Sequence, residues 1–143
     1  MSHRRLIMIA ATVAIVLLII VFIVRRISRA KTHRRTLDKV AFNKRWKELQ
    51  KNCATRKTWP KAIIAADDLL DDALKQSNYK GKTTGERLVA AQHKLTANEE
   101  VWFSHKMRDI VANEDVRRLK KQDIVDALSG FRQALKDLGA LEQ

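Results

Sequence analysis

The 143-residue chain contains few residues that bend or cross-link a backbone: one cysteine, one proline and four glycines. The single cysteine, Cys53, excludes an intrachain disulfide and a zinc site built on paired cysteines. Scarce proline and glycine, with no alternation of β-branched and polar residues, exclude most β architectures. The composition therefore predicts an all-α protein.

Signatures of nucleophilic catalysis and of nucleotide binding are also missing. The chain has no Gly-x-Ser-x-Gly, no Cys-x-x-Cys and no glycine-rich phosphate loop. Its nearest fragment to a phosphate loop, Gly81-Lys82-Thr83, lacks the preceding glycine and strand. We predict no metal and no cofactor.

The most prominent feature present is an unbroken apolar run of nineteen residues, Leu6–Val24. At about 1.5 Å per residue, a helix of this length reaches about 28 Å, close to the ~30 Å of a bilayer core. A cleaved signal peptide is the main rival, but the run exceeds the usual length of about 7–15 residues and no Ala-x-Ala site follows. We predict a transmembrane helix at 6–24 after a short outside tail at 1–5.

Cations follow this run closely, and they predict the orientation of the span. An excess of Lys and Arg marks the cytoplasmic side of a membrane helix. The sequence thus predicts a single-pass protein of the cytoplasmic (inner) membrane, with its N-terminus outside and its C-terminal domain in the cytoplasm. The residues predicted to contact lipid headgroups are Arg25, Arg26, Arg29, Lys31, Arg34 and Arg35.

The net charge of +13 is unevenly distributed. Residues 1–39 carry nine Lys and Arg against one acid, and residues 40–61 carry seven against one. Residues 62–143 carry thirteen against fourteen, a net charge of −1. This pattern favours contact with anionic lipid over nucleic-acid binding, which needs a basic surface on the folded domain.

Amphipathic patterns divide the rest of the chain into helices. A basic juxtamembrane segment and one amphipathic helix are predicted at 25–57, followed by a helical bundle domain at 58–143. The individual helices are expected from Thr36 to about Arg56, from Thr58 to Gln76, from Thr84 to Leu95, from Asn98, and up to Gly139. The predicted core or interface residues are Trp46, Trp59, Leu70, Trp102, Phe131 and Leu135.

Two polar groups could carry chemistry. The acidic run Asp67–Asp72 resembles the DDxxD element that holds magnesium and diphosphate. The chain has one copy and is far too short for that fold, so we favour a solvated acidic face near a basic neighbour. His105 shares a helix face with Arg108 and Asp109, so an acid–base pair beside a phosphate-binding arginine is one interpretation. A polar cluster that satisfies itself within the bundle is the other.

Four segments carry a resemblance to known proteins: WPKAIIAADDLLDDAL at 59–74, GERL at 85–88, VWFSHKMRDIVAN at 101–113 and ALSGFRQALKDLGAL at 127–141. Together they resemble small membrane-anchored proteins of candidate-phyla-radiation bacteria, whose helical domain is similar to HEPN domains.

HEPN ribonucleases carry an Arg, then usually Asn, and a His four to six residues later. Arg108 matches the Arg, Asp109 stands at the Asn, and Asn113 stands where the catalytic His would be. The resemblance therefore implies a HEPN-like domain without its catalytic residue, and pairing through the helices near this motif.

These observations predict a single-pass membrane protein that is not an enzyme. Its helical bundle would mediate protein–protein interaction as a scaffold, an adaptor or a small subunit of a membrane complex. The expected partners are membrane lipids and another protein or a second copy, with nucleic acid unlikely. The alternative is a membrane-tethered HEPN-like ribonuclease or RNA-binding domain that uses Arg108, with either His105 or the Asp67–Asp72 carboxylates.

Overall fold

A computed structural model describes Met8 and residues 12–22, 36–113 and 116–142. The chain divides into two compact units, residues 1–34 and 35–143. Within the described ranges every regular element is a helix, so the predicted all-α bundle is confirmed there.

The predicted transmembrane helix is not supported. In the first unit, Met8 and residues 12–22 (α1) are helical, with exposed apolar side chains. The described chain contains no helix long and apolar enough to cross a membrane. The single-pass architecture predicted from residues 6–24 is therefore wrong, and the inner-membrane location predicted from it is not supported.

The described part of the second unit contains five α-helices. They are α2 (Lys39–Gln50), α3 (Trp59–Gln76), α4 (Thr84–Ala91), α5 (Asn98–Asn113) and α6 (Lys121–Asp137), with short 3₁₀ turns at Lys51–Cys53, Arg56–Thr58 and Val116–Arg118.

The first helix of the unit, α2, is shorter than the expected span from Thr36 to about Arg56. Asp38 caps its start, because its carboxylate accepts a hydrogen bond from the backbone of Ala41 at 3.1 Å. Phe42, Trp46 and Leu49 form its buried stripe. Beyond Gln50 the chain changes to two 3₁₀ turns that lead into α3.

The longest helix, α3, lies at the centre of the bundle and contacts α2, α4, α5 and α6. Pro60 occupies its first turn, where a missing backbone N–H costs nothing. Its inner face contributes the largest share of the core, and each fully buried Leu or Ile stabilises the fold by about 1.5–3 kcal/mol. The buried residues are Trp59, Ala62, Ile63, Ala66, Asp67, Leu69, Leu70, Ala73 and Leu74.

The third predicted helix was expected to reach Leu95, but α4 ends at Ala91. The side-chain amide of Asn98 donates to the carbonyls of Gln92 and Leu95, at 3.1 and 3.0 Å. These hydrogen bonds stabilise a tight connection between α4 and α5, which explains why the helix stops early.

A close crossing joins α5 to α6. Ser104 is fully buried, and its hydroxyl lies 2.7 Å from the carbonyl of Ala127 in α6. A side-chain carbon added at Gly130 would lie 2.6 Å from the carbonyl oxygen of Glu100 and even nearer to the Ser104 hydroxyl. Real atoms do not approach so closely, so the separation of these two helices requires glycine at position 130.

The end of α6 has the geometry that favours glycine. Gly139 has φ of +79°, and its N–H donates to the carbonyl of Lys136 at 2.9 Å. The N–H of Ala140 donates to the carbonyl of Leu135 at 2.8 Å. This pair of bonds is a Schellman motif, and it explains why the helix ends near the predicted Gly139.

We expect Gly130→Ala to lower the free energy of unfolding by about 1–3 kcal/mol, because the new methyl group overpacks the crossing of α5 and α6. Gly85→Ala is the matched control, because its new carbon would meet Trp102 at an ordinary 3.7 Å. That control should be neutral or slightly stabilising. Urea denaturation of both variants measures this difference. Equal unfolding free energies for the two variants would contradict the close crossing of α5 and α6.

Candidate functional site

The buried carboxylate of Asp67 connects α3 to two polar side chains of α5. His105 donates from Nδ1 to Oδ1 of Asp67 across 2.7 Å. The Nε of Arg108 lies 3.7 Å from Oδ2 of the same carboxylate. Asp67 is only 3% exposed, and burial of an unpaired carboxylate would be costly. The two cationic partners therefore explain how this acid can occupy the core.

The environment of His105 favours its charged form. The hydrogen bond to Asp67 is the largest cause that raises the pKa of His105, and the negative charges of Asp67 and Asp109 act in the same direction. Partial burial and the charge of Arg108 oppose this increase. The net result is an imidazole that holds its proton more tightly than a free histidine.

The other ring nitrogen of His105 lies close to Gly85 of α4. A carbon placed on Gly85 would lie 3.8 Å from Nε2 of His105. The ring of Trp102 packs edge-on against the imidazole, with centroids 6.0 Å apart. Within the described chain Nε2 has no hydrogen-bond partner, so it is the nitrogen that could meet a ligand.

Asp109 and Asn113, the other residues predicted to match a HEPN motif, lie on the outside of α5. Arg108 donates to the carboxylate of Asp109 at 3.2 Å, and Asp109 is exposed. Asn113 is also exposed, and its side-chain amide donates to the backbone carbonyl of Asp109 at 2.8 Å. Asn113 and Asp109 are thus on the same side of α5, but only His105 and Arg108 reach Asp67.

The acidic run at 67–72 is divided among different partners. Asp71 pairs with Arg87 at 2.7 Å and with Lys75 at 2.6 Å, and Asp72 pairs with Arg45 at 2.8 Å. Burial would raise the pKa of Asp71, but hydrogen bonds from Lys75, Arg87 and Thr84 hold that pKa below its usual value. In the part of the chain that the structure describes, no group of three His, Cys, Asp or Glu side chains could hold a metal ion.

The sequence did not single out Arg87, although only 7% of its surface is exposed. Its guanidinium bonds to Asp71 and to the carbonyl of Gly81, and so it connects the loop before α4 to α3. The signal that could have revealed Arg87 is its position: it is a charged residue on the apolar face of the amphipathic pattern of α4.

The predicted core residues have two environments. Five are buried and one, Trp102, is half-buried because it packs at the edge of the core beside Gly85. The buried residues are Trp46, Trp59, Leu70, Phe131 and Leu135. The six predicted lipid-contact residues, Arg25 to Arg35, lie outside the described residues.

Cys53 follows α2, and its thiol faces the carbonyl of Leu49 at 3.8 Å. Burial raises the pKa of this thiol. A higher pKa leaves less of the reactive thiolate at neutral pH, so Cys53 has none of the features of a catalytic nucleophile.

An open groove of about 540 Å³ lies on the other side of α5, where that helix meets α6. Phe103 lines it with 40% of its surface exposed. We call this surface the acidic groove, because three of its lining residues are acids and none is a cation. It is formed by Ala97, Glu99, Glu100, Phe103, Asp126, Ser129, Gly130 and Gln133.

This groove, like Arg87, was not predicted from the sequence. Its signal was an aromatic residue, Phe103, that falls off the buried stripe of Val101, Ser104, Met107 and Val111.

No protein-family model, no curated protein and no solved structure matches this chain. The resemblance to HEPN domains therefore stays a prediction, and function has to be argued from the surfaces and clusters described above.

The ion pair of His105 predicts a specific pH dependence of stability. The folded-state pKa lies above the unfolded value of about 6.5, so the stabilisation is fully present below that value and is lost as the pH rises through the folded-state pKa. We expect the difference in unfolding free energy between wild type and His105→Gln to shrink from pH ~6 to pH ~9. Urea denaturation across this range measures it.

Asp67→Asn is the second variant for this test, because it removes the acceptor and should remove the same pH dependence. Parallel stability profiles for wild type and His105→Gln would show that the Asp67 contact does not stabilise the charged imidazole.

Proposed function

We propose that the bundle formed by residues 36–142 is a protein-interaction module that acts as a scaffold or adaptor without catalysis. The observation that carries this proposal is the exposed Phe103 in the acidic groove. Aromatic residues are enriched at the centres of protein interfaces, where their burial contributes much of the binding energy. Here the aromatic ring has carboxylates around it, as in an interface with an apolar centre and a polar rim.

The polar cluster formed by Asp67, His105 and Arg108 supports a binding function over a catalytic one. The Asp67 carboxylate already accepts from His105 and faces Arg108, so all three groups have structural partners. The position at which HEPN ribonucleases carry their catalytic histidine is occupied by Asn113. An amide does not exchange protons near neutral pH, so it could not act as a general acid or base.

We expect a photo-crosslinking amino acid at position 103 to form a discrete adduct with another protein chain in the producing cells, because a partner would cover this ring. The control places the same amino acid at Val89, which is also exposed but lies outside the groove. Mass analysis of the adducts gives the result. Equal adduct formation at both positions, or none at 103, would end the proposal.

A second candidate function is RNA binding or cleavage by a HEPN-like domain. Arg108 is 43% exposed and lies beside His105, whose Nε2 has no partner in the described chain. An arginine and a protonated imidazole side by side could contact a phosphate. Against this, residues 62–143 carry a net charge of −1, and Asp67 and Asp109 neutralise the two cations.

Turnover of labelled single-stranded RNA by the purified chain separates these functions. We compare wild type with Arg108→Ala and with Lys106→Ala, which removes an exposed cation from the same helix. If the bundle is an interaction module, wild type and both variants should show the same background turnover of RNA. Loss of activity in Arg108→Ala alone would replace our proposal with the RNA function.

A further inference from the structure

We propose that the occupant of the acidic groove is a second copy of this chain, which inserts the outer face of its α2. This inference rests on the proposed function and names the partner for it. It is carried by the match between two surfaces of the same molecule: one has three acids beside an aromatic residue, and the other has three lysines, with an aliphatic residue at one end.

The groove has a strongly acidic lining. Glu99 and Glu100 contribute from the first turn of α5, and Asp126 contributes from α6. The described residues that line the groove include no Lys or Arg, so these three carboxylates have no cation among them. Phe103 lies in the same lining and provides the apolar contact. A partner of matching chemistry needs several cations beside one apolar side chain.

The outer face of α2 carries three lysines beside one apolar side chain, and two acids, Glu48 and Glu142, line the same surface. Val40, Lys44, Lys47 and Lys51 are spaced at i, i+4, i+7 and i+11, so they form one stripe along the helix and the turn after it. All four are exposed, and Val40 keeps 80% of its surface accessible. We call this surface the lysine stripe. It lies opposite the buried stripe of α2.

Docking would bring Val40 to Phe103 and the three lysines to the three carboxylates. Opposite charges facing each other attract and align the partners, and burial of the apolar pair supplies non-directional binding energy. Nucleic acid is a poor occupant of this groove, because its phosphates would face carboxylates. The lysine stripe supplies both chemistries that the groove requires.

The two surfaces lie on different parts of the bundle. The lysine stripe belongs to α2, which packs on α3, while the groove is formed by α5 and α6. Two copies can therefore dock reciprocally, as a two-fold dimer in which each stripe fills the other copy's groove, or head to tail, as a ring or an open chain.

The test uses the full chain with a photo-crosslinking amino acid at Phe103. Isotopically heavy and light copies are mixed, so that a crosslink joining a heavy to a light peptide must be intermolecular. We expect such crosslinks to connect position 103 to residues 39–51. The yield should fall as salt rises from about 0.1 to 1 M, because the Debye length shrinks from about 10 to 3 Å.

Charge reversal provides the decisive variants. Glu100→Lys/Asp126→Lys alters the groove, and Lys44→Glu/Lys47→Glu alters the stripe. Each double variant alone should lose crosslink yield by about tenfold or more, because like charges then face each other. A mixture of the two should regain it, because every groove then finds a stripe of opposite charge. Rescue on mixing also shows that both variants fold.

The matched control for the stripe is Lys80→Glu/Lys94→Glu, which makes the same change in net charge at exposed positions outside the stripe. It should keep the wild-type yield. Any of three results would overturn the second-copy proposal: an equal loss of crosslink yield in this control, no recovery of yield on mixing, or crosslinks that map outside residues 39–51.

The two proposals fail in different ways. In one outcome, position 103 forms an adduct with a different protein in cells, and the purified chain shows no heavy-to-light crosslink. That result would overturn docking of a second copy and leave the interaction module standing. Absence of any adduct at position 103 would overturn both.

Discussion

Ser104 and Gly130 approach so closely that α5 and α6 have no room for a side chain between them. This contact fixes how the two helices lie against each other. Because α5 is held there, His105 and Arg108 are presented to Asp67 of α3, while Glu100 and Phe103 line the groove shared with α6. The polar cluster and the acidic groove therefore both depend on the same small crossing.

The central helix α3 carries four acids in six residues, although one of its faces lies in the core. Asp67 and Asp71 meet cationic side chains from α5 and α4, and Asp72 meets Arg45 of α2. Breaking a buried pair leaves an uncompensated charge and is strongly destabilising. The contacts of Asp67 and Asp71 favour one arrangement of helices around α3, because another packing would leave these two acids unpaired, whereas the exposed pair of Asp72 adds little.

Local patterns predicted much of this fold. Phe42, Trp46 and Leu49 recur at helical spacing and form the buried stripe of α2, and Gly139 ends α6 as its sequence indicates. Contacts between distant residues had no such signal. Asp67 and His105 are 38 positions apart, and no periodicity shows that they meet. The apolar run at 6–24 predicted a spanning helix because hydropathy measures only how well side chains suit lipid, and the described chain contains no helix long and apolar enough to cross a membrane.

Cys53 has a practical consequence. It is the only thiol in the chain, and its environment after α2 raises its pKa and shields part of its surface. Alkylating reagents attack the thiolate, so we expect the folded protein to react more slowly than a free cysteine. An increase in the labelling rate would therefore report a change in the packing around the junction of α2 and α3, with no engineered probe required.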